Sequence, residues 1–285
     1  MPITASNTVV ALVGLPRSGT TLLARLIGAH SRVATLIEPY QSRRQLNYEH
    51  TDLGQLCADC KVEVPVAGAV LIKETTTRWV NVKLVLQTLR IAAEAGHATG
   101  IILLLRSPVE AFYSQLAAAN KYWKDKTYTW NEDESSVLNF WISTQDSLEV
   151  LAEQITCFPL RVCFFARLLS EPAMELGRLM AFFRLEVEPG QFDVEKAAKK
   201  TLRGGDPNAW DKDKPVSPAS VTDRTAQVAA FRDRFGQSPG GRALLAMHDC
   251  VTELGSAPLF DDAEVAGHFF RQFRKVAAAT RVAAP

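Results

Sequence analysis

The segment that most restricts how this chain can fold lies near its start. An apolar run, Val9–Leu15, reads as a buried strand. It leads through Gly14-Leu15-Pro16-Arg17-Ser18-Gly19-Thr20-Thr21 into a stretch of helical spacing, Thr20–His30. A helix's first N–H groups have no partner within the helix and carry partial positive charge. A strand that turns directly into a helix therefore presents those groups to an anion at the strand's carboxyl end. Gly19 permits close approach, Pro16 and Arg17 shape the turn and add a cation, and Ser18, Thr20 and Thr21 add hydroxyl donors. The plain alternative is a tight strand–helix turn with a Ser/Thr cap.

Short β-branched runs and longer helical stretches alternate along the rest of the chain. Strands are expected at Val9–Leu15, Val33–Ile37, Ala69–Ile72, Gly100–Leu105 and Arg161–Phe165. Helices are expected at Thr20–His30, Asn81–Ala95, Val109–Asn120, Ser135–Gln154, Glu171–Phe183, Arg242–Leu254 and Ala263–Thr280. This alternation predicts an α/β fold, a doubly wound sheet of the P-loop type, mainly parallel, with helices on both faces. All 285 residues fit a single domain of that class with insertions. Ligands of such sheets sit beyond the carboxyl ends of the strands. The loops starting at Leu15, Glu38, Lys73 and Arg106 should therefore ring one crevice. Residues 120–134 and 203–222 break the periodicity, and we expect substrate loops or lids there. Trp123, Trp130 and Trp210 could stack on a sugar or polycyclic face, or pack for stability alone.

With 47% hydrophobic and 22% charged residues the chain can bury a full core. Its net charge of +1, with no long basic block, argues against a nucleic-acid partner. No stretch approaches the roughly 20 apolar residues of a membrane span. Met1–Thr8 has neither a charged nor an apolar leader segment, so a cytoplasmic location with reduced cysteines is expected.

A nucleoside-triphosphate loop would read G-x-x-x-x-G-K-[ST]. Gly14 and Gly19 keep that spacing, but Thr20 stands where the lysine would be and the cation has moved to Arg17. The loss of the lysine weakens an ATP or GTP reading. Glu38 ends the second strand on the same edge, facing the loop; taken alone, a strand-end Glu before Pro39 is more often a surface or capping residue. Lys73 closes the third strand, and Arg106 the fourth, with Ser114 eight residues on along the next helix.

Pro16-Arg17-Ser18-Gly19-Thr20-Thr21-Leu22-Leu23 resembles the 5′-phosphosulfate loop of the PAPS-dependent sulfotransferases. Ala29–Val33 and Ile37-Glu38-Pro39-Tyr40 are similar to the Golgi carbohydrate and tyrosylprotein members, in which a glutamate follows the second strand. The resemblance covers residues 8–40, 69–75, 100–114 and 161–172, with a weaker echo at 203–216. It implies 3′-phosphoadenylyl sulfate (PAPS) as donor, 3′-phosphoadenosine 5′-phosphate as product, and a small-molecule, sugar or peptide hydroxyl as acceptor. No metal is implied. Glu38 is then the base, Lys73 faces the bridging or leaving oxygen, and Arg106 with Ser114 forms the 3′-phosphate site. Arg203 and Lys214 would finish that site.

Several departures stand out. Cytosolic members carry a histidine base two residues past the lysine, where this chain has Thr75; Glu74 is the reserve base. The family's Arg-Asp-Pro is here Arg106-Ser107-Pro108. Phe164-Phe165-Ala166-Arg167-Leu168 falls where many relatives read Tyr-Glu-Asp-Leu. Two rival readings are a P-loop small-molecule kinase and a non-catalytic nucleotide-binding protein. Cys57 and Cys60 have zinc-like spacing but no second pair, so two thiols on a loop are expected. The five histidines show no triad or ligand spacing.

Overall fold

Seven consecutive buried residues, Thr8–Gly14, form β1 at the centre of the sheet. A strand covered on both faces needs apolar side chains pointing both ways, and Val9, Ala11 and Val13 alternate with Val10 and Leu12 to provide them. The computed structural model describes residues 7–40, 51–66, 68–77, 80–122, 130–192, 225–257 and 261–282. The remaining strands are β2 (Val33–Ile37), β3 (Ala69–Lys73), β4 (Ala98–Leu105) and β5 (Leu160–Phe164). Their order is β2-β3-β1-β4-β5, and every pairing is parallel. The doubly wound parallel sheet expected from the sequence is therefore present.

Helices α1 (Thr20–Gly28), α2 (Leu53–Asp59), α3 (Val82–Glu94), α4 (Pro108–Tyr122), α5 (Glu134–Gln154), α6 (Phe165–Ser170) and α7 (Pro172–Phe182) come first in chain order. They are followed by α8 (Thr225–Phe235), α9 (Pro239–Ser256) and α10 (Asp262–Val282). One sheet face, including Val10, Leu12 and Ile102, packs on α1 through Leu23 and Ile27 and on α7 through Leu176 and Leu179. The opposite face, including Val9, Ala11 and Val13, packs on the larger set that includes α3, α5, α9 and α10. Burying each such aliphatic side chain contributes about 1.5–3 kcal/mol.

Three helices depart from expectation. α2 follows a cap the sequence does carry: the Asp52 side chain accepts from Gln55 N–H at 2.7 Å. Cys57 is thus buried in a helix, and Cys60 is that helix's C-cap, rather than both lying on a loop. α8 buries only Phe231 and Phe235, too narrow a stripe for periodicity to flag. Phe165, expected to end β5, instead begins α6. Residues 203–222, with Arg203, Trp210 and Lys214, and residues 123–129, with Trp123, lie outside the described residues. Among the described residues no helix is long and apolar enough to cross a membrane.

Candidate active site

Strand order alone gathers the site. The central β1 has β3 on one side and β4 on the other, so connections leave it in opposite directions and a crevice opens beyond its carboxyl end. Pro16–Thr21 lies at that end. Lys73 pairs in register with Leu12 on one side and Ile37 on the other, while Leu104 pairs with Gly14. The segment after β3 then crosses to the β1 loop: Thr76 donates to the Gly14 carbonyl from its N–H (2.8 Å) and its hydroxyl (3.1 Å).

The loop itself is built around Gly19, the N-cap of α1, with φ of 99° and no side-chain cap. A Cβ there would sit 2.4 Å from the Phe165 ring, so both the left-handed backbone and the close approach require glycine. No Ser/Thr side chain caps the start of α1. Thr20 and Thr21 begin the helix and are buried. Ser18 is fully buried over Gly14, and its hydroxyl has no hydrogen-bond partner among the described residues. Buried hydroxyls are normally paired; an orphan inside an anion-type loop fits a site whose ligand brings acceptors.

Glu38 and Lys73 meet directly. Glu38 N–H donates to the Lys73 carbonyl at 2.8 Å, extending the β2–β3 ladder by one residue. Lys73 Nζ donates to Glu38 Oε1, an ion pair whose side chains are 1% and 12% exposed. Glu38 holds φ of 52°, a costly backbone for a residue that also precedes a proline. The next turn is pinned from inside. Tyr40 N–H donates to Glu74 Oε1 at 2.7 Å, and the Tyr40 hydroxyl lies 2.6 Å from Thr88 Oγ1 on α3. Burial pushes the Tyr40 phenol up to about 12, so it anchors and does not titrate. Glu74, the reserve base, is fully buried and turned toward Tyr40, away from that role.

Arg17 and Arg106 converge across the β1–β4 junction. Arg106 Nη1 donates to the Arg17 carbonyl at 2.7 Å, Nε faces Glu110 Oε2 at 3.3 Å, and the guanidinium lies 4.4 Å from the centre of the Phe165 ring. Arg17 Nε in turn reaches Ser114 Oγ at 3.4 Å. Ser114 is therefore drawn to Arg17, and the two arginines share one corner. Phe165 is the residue whose importance sequence reasoning missed: one ring fills the space under Gly19 and stacks on Arg106. Glu110 carried a readable signal, since it lies four residues past Arg106 at the start of a helix. Trp130, an acceptor-stacking candidate, packs against Phe140 with ring centres 6.3 Å apart.

The crevice thus combines an uncapped helix start, two guanidiniums, an ammonium and one carboxylate base candidate, a donor set suited to a doubly anionic ligand and a proton transfer. Solved structures similar to this chain include the sulfotransferase domain from the Synechococcus PCC 7002 olefin synthase, at 13% identity over 94% of each chain with TM-score 0.48. Another is mouse sulfotransferase SULT7A1 complexed with PAP, at 16% identity over 84% of this chain and 88% of that one, TM-score 0.45. A third is the sulfotransferase domain from the curacin biosynthetic pathway, at 12% identity over 94% of this chain and 98% of that one, TM-score 0.45. No curated protein matches the sequence. The sulfotransferase domain family matches residues 7–208, a span that takes in all five strands and every crevice residue described above. By that match, this chain belongs to the sulfotransferase family.

Proposed function

We propose that the chain transfers a sulfuryl group from PAPS to a hydroxyl on a small molecule, sugar or peptide, with Glu38 as general base. The observation that carries this reading is the Glu38–Lys73 ion pair, set at adjoining strand ends beside the uncapped start of α1. An in-line displacement needs a base for the entering hydroxyl and a cation for the departing oxygen, and here the two side chains are held together as an ion pair.

PAPS supplies a sulfur bonded to a phosphate oxygen that leaves as the acceptor's oxygen bonds to sulfur. Glu38 takes the proton from the attacking hydroxyl. Once neutral, its carboxyl attracts Lys73 less, and the ammonium is left to face the charge developing on the departing oxygen. Arg17 and the first N–H groups of α1 face the same charge. Arg106 holds the distal phosphate, with Ser114, which lies against Arg17, as a further donor, so remote binding energy positions the reacting end. Pro16 and Gly19 shape the loop, while Ser18, Thr20 and Thr21 line it. Arg203 and Lys214 belong to the same binding end in this reading.

The test is calorimetric titration of the protein with 3′-phosphoadenosine 5′-phosphate, with ADP and Mg·ATP in parallel. Selective binding of the bisphosphate is expected. Preferential binding of Mg·ATP would assign Arg17 and Arg106 to a kinase and overturn the reading. Glu38→Gln is expected to bind the bisphosphate normally and lose turnover by about 10²-fold.

A further inference from the structure

Ser107 replaces an acid that many relatives carry, and the structure gives the replacement a partner. Its hydroxyl lies 2.7 Å from Nδ1 of His248, 141 residues further along the chain on α9. The same oxygen accepts Glu110 N–H at 3.3 Å, and the Ser107 carbonyl accepts Ala111 N–H at 3.0 Å, so Ser107 caps the first turn of α4. Glu110 is also the carboxylate that faces Arg106. One hydroxyl therefore joins three things: α9, the start of α4, and the residue next to Arg106.

We infer that His248 is a positioning residue for the anion corner, holding Ser107 in its capping rotamer and through it the Arg106–Glu110 pair. The inference rests on the proposed role of Arg106 in donor binding. Ser107 Oγ accepts from Glu110 N–H and keeps a proton to donate, which a neutral imidazole with a bare Nδ1 can take; the other tautomer would donate from Nδ1 to the same oxygen. Desolvation lowers the pKa of His248 below the ordinary histidine value, with Asp249 and Glu110 opposing and Arg232, from α8, reinforcing the shift. The lowered pKa favours the neutral ring, and in the tautomer protonated on Nε2 its Nδ1 accepts the Ser107 proton. Without this acceptor the Ser107 hydroxyl can turn away from Glu110 N–H, and the cap that orders α4's first turn loosens.

The experiment compares wild type, His248→Leu, His248→Asn, Ser107→Ala and the Ser107→Ala/His248→Leu pair, reading bisphosphate affinity by calorimetry and hydrogen exchange at residues 107–111. His248→Leu is expected to weaken affinity about fivefold to tenfold and to speed exchange at Glu110. The asparagine Oδ1 can take the place of Nδ1, so His248→Asn should recover most of both. The double variant should lose no more than Ser107→Ala alone. Full additivity, failure of asparagine to rescue, or unchanged exchange in His248→Leu would overturn the inference. A wild type that binds no bisphosphate would sink the donor assignment instead, while the exchange data still decide the role of His248.

Discussion

Lys61 and Arg184, at the far ends of α2 and α7, hold φ of 55° and 58°; Arg17 and Glu38, on the crevice, hold 64° and 52°. All four carry a left-handed backbone that costs a residue with a Cβ about 1–2 kcal/mol. At the helix ends the reason is local. Lys61 N–H donates to the Ala58 carbonyl and Val62 N–H to that of Cys57, and Arg184 and Leu185 bond Ala181 and Met180 in the same way. This is the double bond pattern of a helix stop, where glycine would serve better than either residue. On the crevice no helix is being ended. Glu38 N–H bonds Lys73, the Arg17 carbonyl accepts Arg106, and the side chains of both face the site. The strain falls in one region where a helix stops, and in the other on two charged residues beside the crevice.

The sharpest way to break this comparison is to put glycine at the crevice positions. Arg17→Gly relieves the backbone but removes the loop cation, so turnover should fall about 10²–10³-fold while thermal stability holds or rises. Glu38→Gly should lose turnover by about 10²-fold or more and also lose stability, because it leaves Lys73, 1% exposed, without its carboxylate. Assays of sulfuryl transfer beside thermal melts separate the two outcomes. An Arg17→Gly variant with normal turnover would show that its backbone, and not its charge, is what the loop needs. A smaller effect is expected from Arg106→Ala. It should weaken bisphosphate affinity about 10–100-fold, the range of a charged hydrogen bond, with turnover at saturating donor changed little. Unchanged affinity in that variant would remove Arg106 from the donor site.

Much of this arrangement was legible in the chain itself, and the limits have physical causes. The central strands stand out because a strand buried on both faces must be a continuous apolar run, as Ile101–Leu105 is. Glu38, Lys73 and Arg106 follow from the same logic, since each directly ends or follows such a run. What escaped depends on packing between distant segments. Ser107 and His248 meet only because α9 packs on α4, and no local pattern encodes that contact. Phe165 reads as one more strand residue until its ring is found against Gly19 and Arg106. The drawing of Ser114 toward Arg17 likewise depends on how α4 lies across the loop.

The smallest expected effect tests the other half of the comparison. Lys61→Gly and Arg184→Gly place the preferred residue at positions whose hydrogen bonds are all backbone, and both side chains are exposed. Relief of the left-handed strain is partly offset by the greater entropy of glycine in the unfolded chain and by loss of a cation near a helix carboxyl end. A net gain of at most about 0.5 kcal/mol remains for each, which for a chain of this size raises the melting temperature by no more than about 2 °C. Turnover and bisphosphate affinity should not move, because neither residue takes part in the crevice. Should either substitution lower the melting temperature, its side chain contributes more than its backbone costs. The helix ends would then resemble the crevice, with strain retained for what the side chain does.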